Sequence, residues 1–260
     1  MNPFEQQEVL SQRYPAATIY MENSNLTPAR NHMFQEKTME FSQDESYSSG
    51  KSYPLCDIIT LPASPILKGP VERIIGNRRT RRNFSRKGVQ IAKLARILKS
   101  AYGVTSKGSE KAGDVMLRAC PSAGALYPLE LYPVVLRSKD LALGVYHYNV
   151  KNHSLEIVKK GDFLEELDNN LLGAELIPGA DVALIITSVI DRSLAKYGER
   201  GYRFILIEVG HLAQNISLVC ESLGFNSVCM GGFYEKDLAD LLSTDIRSEP
   251  VQYVILLGAH

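Results

Sequence analysis

The sequence predicts a β-sheet with helices packed around it, of the α/β or α+β class, over residues 71–260. Three observations carry this. Asp181 to Val189 (DVALIITSV) is short, nearly all apolar and β-branched, the pattern of a strand buried on both faces. Beyond it, Ile205, Val209, Leu212, Ala213, Ile216 and Val219 recur at spacings of three and four. That period predicts a long buried helix reaching about Leu223, with Gly224 as its stop. Finally, strand-like and helix-like segments alternate on both sides of this pair.

Taken in order, residues 1–70 form a polar, poorly periodic arm and connector. Ser, Asn, Gln and Glu dominate up to Ser52, and YPLCDIITLPASP follows as an extended, proline-punctuated link. Phe34, Met39, Phe41 and Tyr47 are apolar anchors, so the arm is expected to lie over the main domain or a partner, with patchy order. Val71–Ile75 begins a short helix leading into Arg78-Arg79-Thr80-Arg81-Arg82. Such a cluster suits a nucleic-acid patch, a solvated charge run, or a site for one phosphate group. Guanidinium forks match phosphate oxygens bidentately and the Thr hydroxyl adds a donor. The cluster is short, without interleaved aromatics, in a neutral chain, which disfavours nucleic acid and leaves the other two readings level.

Val89–Tyr102 is an amphipathic helix closed by Gly103. After a Gly/Lys-rich loop, Pro121-Ser122-Ala123-Gly124-Ala125-Leu126-Tyr127-Pro128 precedes the strand 131–137. A loop of small residues before a strand is either an ordinary tight turn or a floor for a flat ligand. Gly144–Asn149 and Ser154–Val158 read as a hairpin, in which His147 and His153 are structural rather than metal-binding; no metal site is expected anywhere. Lys196 and Tyr197 fall on a loop between the buried strand and the long helix. Ser227–Met230 is a strand ending in Gly231-Gly232, Tyr234–Leu242 a short helix, and 251–258 a last strand. Paired glycines at a strand end let backbone N–H groups approach a bound ring.

Composition sets the broad class. The chain has 260 residues, 45% of them hydrophobic, with 29 basic and 29 acidic side chains. Zero net charge argues against a phosphate-backbone partner. Four cysteines without a CxxC pair suit a reducing cytosol. The first residues contain no apolar signal region, and no window is read as long enough to span a membrane. A soluble cytoplasmic protein is expected.

The segments RRTRRNF, PSAGALYPLELY, GVYHY, KYGERGYR, EVGHLAQN, GGF and a terminal strand ending in Gly occur together and in order. As a set they resemble the nitroreductase-fold flavoproteins, and more narrowly the SagB-type dehydrogenases, azoline oxidases of thiazole/oxazole-modified peptide biosynthesis. The resemblance implies an α+β nitroreductase-like fold: a central mixed sheet surrounded by helices, in an intertwined homodimer holding FMN. It implies that Arg78 and Thr80 meet the FMN phosphate, with Arg79 assisting, and Arg82 the pyrimidine side. Pro121, Ser122, Ala123, Gly124 and Leu126 would line the isoalloxazine, with Gly231 and Gly232 facing N5 and O4. Gln214 lies on the long helix, which in this fold packs on the partner subunit. Where many relatives place a Lys or Arg that reaches the phosphate, this sequence reads Gly258-Ala259-His260, so the arginine cluster is expected to carry that charge alone.

Lys196-Tyr197 matches the catalytic Lys–Tyr pair of azoline-oxidising relatives. Aromatising an azoline removes a proton from the α-carbon and a hydride from its ring neighbour. The flavin accepts the hydride and a side chain must take the proton. A lysine near Arg200 and an apolar face is disposed to be that base. Implied partners are an azoline-bearing precursor peptide, a YcaO-type cyclodehydratase and a leader-binding subunit, with O2 as final acceptor. The competing readings are a generic NAD(P)H-dependent nitro or quinone reductase, an oxidase of carrier-bound thiazolines, and a flavin-binding scaffold.

Overall fold

The computed structural model describes residues 11–42, 51, 55, 59–61, 69–107 and 116–260. Tyr47, Cys56, most of the proline-punctuated connector, most of the Gly/Lys-rich loop and the side chain of Phe41 lie outside the described residues. The helices are α1 (Pro15–Ser24), α2 (Pro28–Ser42), α3 (Pro70–Asn77), α4 (Ile91–Tyr102), α5 (Leu164–Asn170), α6 (Asp191–Tyr197), α7 (Arg200–Ser222) and α8 (Glu235–Leu242). The strands are β1 (Val104–Lys107), β2 (Met116–Arg118), β3 (Leu129–Val135), β4 (Gly144–Asn149), β5 (Ser154–Lys160), β6 (Val182–Ser188), β7 (Phe225–Met230) and β8 (Val251–Ala259).

Six strands form the central sheet in the order β5-β4-β3-β6-β8-β7, and β1 pairs with β2 beside it. A mixed sheet was expected, yet every ladder of the central sheet is antiparallel. The reason is topological. The crossover through α6 and α7 joins β6 to β7, which point the same way, but β8 inserts between them and runs against both. Among the described residues the parallel pairing is the isolated bridge Val89–Ser138.

Strand β6 is buried at every position, as its apolar run predicts. Its side chains alternate between two cores: Val182, Leu184 and Ile186 join one, Ala183 and Ile185 the other. The first core lies under α4 and α7, and the second under α5 and α8. Helix α7 buries Ile205, Val209, Leu212, Ala213 and Ile216, the predicted stripe, and Gly224 follows it at φ +68°. By length and composition α7 also meets the criterion for a membrane span, which the sequence reading missed. Its apolar stripe is committed to the core of the fold.

The arm is more ordered than its composition suggests. Helix α1 sends Tyr14, Ala17 and Met21 into the first core, and Tyr20 packs on Tyr202 with ring centroids 5.6 Å apart. Its N-terminus is held from afar: the Glu199 carboxylate accepts the backbone N–H of Ala16 (3.0 Å) and Ala17 (2.8 Å). These are orphan donors of the first turn, and a carboxylate there also meets the positive end of the helix dipole. At the turn into α2, Leu26 N–H donates to Glu235 at 2.7 Å. Glu199 belongs to the KYGERGYR segment, so the arm is fastened one turn from Lys196 and Tyr197. Glu199→Ala is expected to cost about 1 kcal/mol, and to speed hydrogen exchange of the α1 amides ahead of those in the sheet. Unchanged exchange in α1 would show the cap to be dispensable.

Candidate active site

Lys196 and Tyr197 sit on the last turn of α6, not on a loop. The segment 190–198 has no helix-breaking residue before Gly198, which closes the helix at φ +56°. Lys196 is exposed and Tyr197 half-buried, its ring edge-on to Phe204 at 5.1 Å. The lysine ammonium lies 5.3 Å from the Tyr197 ring centroid.

Both side chains face the small-residue loop. A Cβ added to Gly124 would stand 2.8 Å from Lys196 Nζ and would collide with the Tyr197 hydroxyl. Gly124 has φ +62°, and Ala125 (+54°) and Tyr127 (+47°) are also left-handed. Left-handed non-glycine residues persist where surrounding contacts over-determine them, and here they do. Ser122 Oγ accepts Tyr127 N–H at 2.9 Å, Ala125 N–H donates to Ser122 O at 3.1 Å, and Arg192 donates to Tyr127 O at 3.1 Å. Tyr127 Oη in turn accepts the Arg118 N–H at 2.9 Å.

Beneath this loop lies a group that the sequence reading passed over. Glu208, on α7, is 2% exposed. It accepts the Tyr102 hydroxyl at 3.0 Å and is hydrogen-bonded to Ser122. Burial pushes its carboxyl above the usual range, while Ser122, Tyr102 and the Arg118 charge oppose that shift. Cys120 reaches the Glu208 carbonyl at 3.8 Å, and burial pushes its thiol up to about 12, so it stays protonated. A signal existed: Glu208 falls between Ile205 and Leu212 on the apolar stripe, where a carboxylate requires a partner.

The arginine cluster lies elsewhere. Arg81 forms an ion pair with Glu221 at 2.6 Å and its N–H meets Ser227 O of β7, so it anchors the segment to the sheet edge. Arg79 donates to the carbonyls of Gly76 and Arg78, both at 2.8 Å. Arg78 is half-buried near enough to Cys229 to favour its thiolate, while Thr80 and Arg82 are exposed. Phe84 then plugs the segment down between Gly179 and Gly258. Gly231 is exposed at the end of β7, where a Cβ would meet the Tyr253 ring only at 3.8 Å. Gly232 lies against Leu172 and accepts its N–H at 2.9 Å.

The predicted residues therefore form two groups. Pro121, Ser122, Ala123, Gly124 and Leu126 gather around Lys196 and Tyr197 near the start of β3. Arg78, Arg79, Thr80, Arg82, Gly231 and Gly232 flank β7. Strands β6 and β8 lie between β3 and β7, a separation of roughly 14 Å at the usual strand spacing. Gln214 is exposed on α7 and belongs to neither. His147 bridges Glu130 (3.0 Å) and Glu156 (2.8 Å), and these partners raise its proton affinity, as a structural histidine requires. The exposed arginine and threonine donors, and an open glycine backbone at Gly231, fit a phosphorylated flat cofactor.

Substituting Gly124 by Ala is expected to displace Lys196 and Tyr197 and to strain the loop by about 1 kcal/mol or more. A crystal structure with both side chains unmoved would refute this. For Glu208, the raised carboxyl means the folded state keeps its proton where the unfolded chain has released it. Its contribution is fully present below the unfolded value and is lost as pH rises through the folded one. Glu208→Gln should therefore flatten the fall in thermal stability as pH rises above about 4.5. Glu208→Ala strands two hydroxyls and should cost about 2–4 kcal/mol. Identical pH profiles for wild type and Glu208→Gln would contradict the assignment.

Comparison with known proteins fits this geometry. The nitroreductase family model matches residues 75–259. A protein named as a nitroreductase, MJ1384 from Methanocaldococcus jannaschii, is 35% identical over 172 residues, covering 66% of this chain and 83% of its own. The microcin B17-processing protein McbC of Escherichia coli is 29% identical over 173 residues; the match takes in 64% of this chain and 61% of McbC, less than two thirds of it. Among solved structures, the E. coli microcin synthetase McbBCD complex with truncated pro-MccB17 bound aligns over 93% of this chain and 97% of the other, at TM-score 0.59 and 23% identity. A nitroreductase from Desulfovibrio desulfuricans in complex with FMN covers 74% of this chain and 87% of its own, at TM-score 0.51 and 16% identity. These last two establish likeness of fold. With 185 of its 260 residues inside the family model, this chain belongs to the nitroreductase family and is an oxidoreductase by that membership.

Proposed function

We propose that the protein is an FMN-dependent dehydrogenase that oxidises thiazoline or oxazoline rings of a ribosomal precursor peptide to thiazoles or oxazoles. The observation that carries this is the meeting of Lys196 and Tyr197 over the Gly124 backbone. An adjacent amine and phenol on one face of a small-residue loop serve proton abstraction beside a flat ring system. Kinship with a microcin B17-processing protein points to the same class of substrate.

In this reading Arg78, Thr80 and Arg82 hold the FMN phosphate and pyrimidine edges. Gly231 leaves backbone room for the ring, and Gly124 makes room for the Lys196 and Tyr197 side chains. When bound, FMN supplies the hydride acceptor. Lys196 Nζ, as the neutral amine, takes the proton from the azoline α-carbon, and the Tyr197 hydroxyl orients the ring or passes that proton on. Gly124 keeps the two side chains together, because any Cβ there would part them. The Tyr127, Ser122 and Glu208 hydrogen bonds keep the loop from relaxing. O2 serves as final acceptor, and the azolines come from a cyclodehydratase acting with a leader-binding subunit in the cytoplasm.

The proposal includes a homodimer, since the two groups of cofactor residues stand on opposite sides of β6 and β8. The outward stripe of α7 suits a second copy: Leu206 and Ile207 are exposed there, and nothing stands within 4 Å of a Cβ added to Gly210. Kinship with the archaeal nitroreductase keeps a second reading in play, an NAD(P)H-dependent reductase.

The two are separated by reducing the FMN-loaded protein anaerobically with an azoline peptide or with NADPH. Bleaching of the flavin band by the peptide, with loss of two hydrogens from it, is the expected result. Lys196→Ala should retain FMN and lower the rate by about 10²–10⁴-fold. Bleaching by NADPH alone, or full azoline oxidation by the lysine variant, would overturn the assignment.

A further inference from the structure

On the other side of the small-residue loop lies an open groove of about 510 Å³, within the usual range for ligand sites. Its walls include Arg118, Tyr127, Glu130, His147, Lys151 and Arg192. The groove adjoins the loop and the helix that carry the catalytic pair. Arg192 stands four residues before Lys196 on α6, hence on the same helix face, and Ala125 to Tyr127 form the shared wall.

Its charge is unbalanced. Three permanent cations line it against the one carboxylate of Glu130. That carboxylate is already occupied by Arg192 at 2.5 Å and by His147 at 3.0 Å. Arg118 has no ion pair among the described residues. Its guanidinium sits in the corner formed by the Tyr102 and Tyr127 rings, which meet edge-on at 79°, 4.7 Å from each centroid, and one of its nitrogens is buried without a partner. Glu208 feels its charge but takes its own hydrogen bonds from Tyr102 and Ser122. Lys151 is exposed on the β4–β5 turn, also unpaired among the described residues. A planar cation fixed by two aromatic faces loses little freedom on binding and is matched by a carboxylate. Glu130 in the wall disfavours a multiply charged phosphate more than a single carboxylate.

We infer that this groove is a subsite for a carboxylate of the peptide substrate, an acidic side chain or the C-terminus, held by Arg118 and Lys151 while the azoline lies at Lys196. The inference rests on the azoline-dehydrogenase reading and extends it to sequence preference around the modified ring. A substrate with an acidic residue a few positions from the ring would be anchored by it, which fixes which ring of a multi-azoline chain reaches Lys196.

The test uses FMN-loaded full-length protein and two pairs of synthetic peptides. In each pair Glu near the centre is exchanged for Gln. One pair carries a thiazoline and reports turnover; the other carries Ser in its place and reports binding by fluorescence anisotropy. Wild type is expected to bind the Glu peptide about tenfold more tightly than the Gln peptide. Its KM should show the same preference. Lys151→Glu, on an exposed turn, and Arg118→Gln should each erase that preference. If Arg118→Gln fails to fold, Lys151→Glu still decides the matter. Equal binding of Glu and Gln peptides by a protein that oxidises the thiazoline overturns the subsite and leaves the dehydrogenase standing. Discrimination without oxidation does the reverse. Displacement of the Glu peptide by NADPH would reassign the groove to a dinucleotide phosphate, and the inference would fall.

Discussion

The candidate active site depends on one buried acid. Glu208 rises from α7 into the underside of the 121–127 loop, where Tyr102 and Ser122 satisfy it. Without an acceptor there, Ser122 loses a partner, and with it the Oγ that receives Tyr127 N–H. The left-handed turn through Gly124, Ala125 and Tyr127 would then relax toward common backbone angles, since only surrounding contacts hold such conformations. Gly124 is the floor under Lys196 and Tyr197, so the geometry of the pair is set about two hydrogen bonds away from it. The long helix thus does more than fill the core. It carries a polar strut at the one position of its apolar stripe that faces the loop.

The same economy appears in KYGERGYR. Lys196 and Tyr197 end α6, Gly198 reverses the chain in a left-handed conformation, and Glu199 reaches back to cap α1. Tyr202, one turn on, packs against Tyr20 of that helix. One eight-residue segment therefore presents the reactive side chains and fastens the N-terminal arm. Glu199 thus ties the N-terminus of α1 to the turn that directly follows Lys196 and Tyr197. The arm is in this sense part of the framework of the site, although its own sequence reads as a polar appendage.

Much of this was legible in advance, for identifiable reasons. Strand β6 and helix α7 announce themselves because burial on two faces, or on one stripe, leaves an unbroken apolar pattern. The Lys–Tyr pair and the small-residue loop were visible as ordered motifs. Other features were hidden. The end of α6 read as a loop because seven residues are too few for a period to emerge. The antiparallel sheet was not foreseeable, since the insertion of β8 between β6 and β7 is a long-range pairing that leaves no local trace. Helices α1 and α2 were missed because their stability comes from docking, prolines at their starts and distant carboxylates rather than from periodicity. Glu208 left a trace, a carboxylate on an apolar stripe, but its meaning required knowing that Ser122 and Tyr102 face it.

Arg81 shows why a charge cluster cannot be assigned by composition. Four arginines crowd five positions, yet the structure sorts them by neighbour. Arg81 is committed to Glu221 and the β7 edge, and Arg79 to carbonyls of its own turn. Arg78 and Arg82, which bracket them, are left able to meet an incoming anion. An ion pair with a 15%-exposed glutamate also fixes the direction in which the segment leaves α3. The anchored arginine thereby aims its neighbours, and a site for a phosphate can be built from exposed side chains without their wandering. The carboxylate groove uses the complementary device: Arg118 is aimed by two tyrosine rings instead of by an acid, which fixes its plane and leaves its charge available.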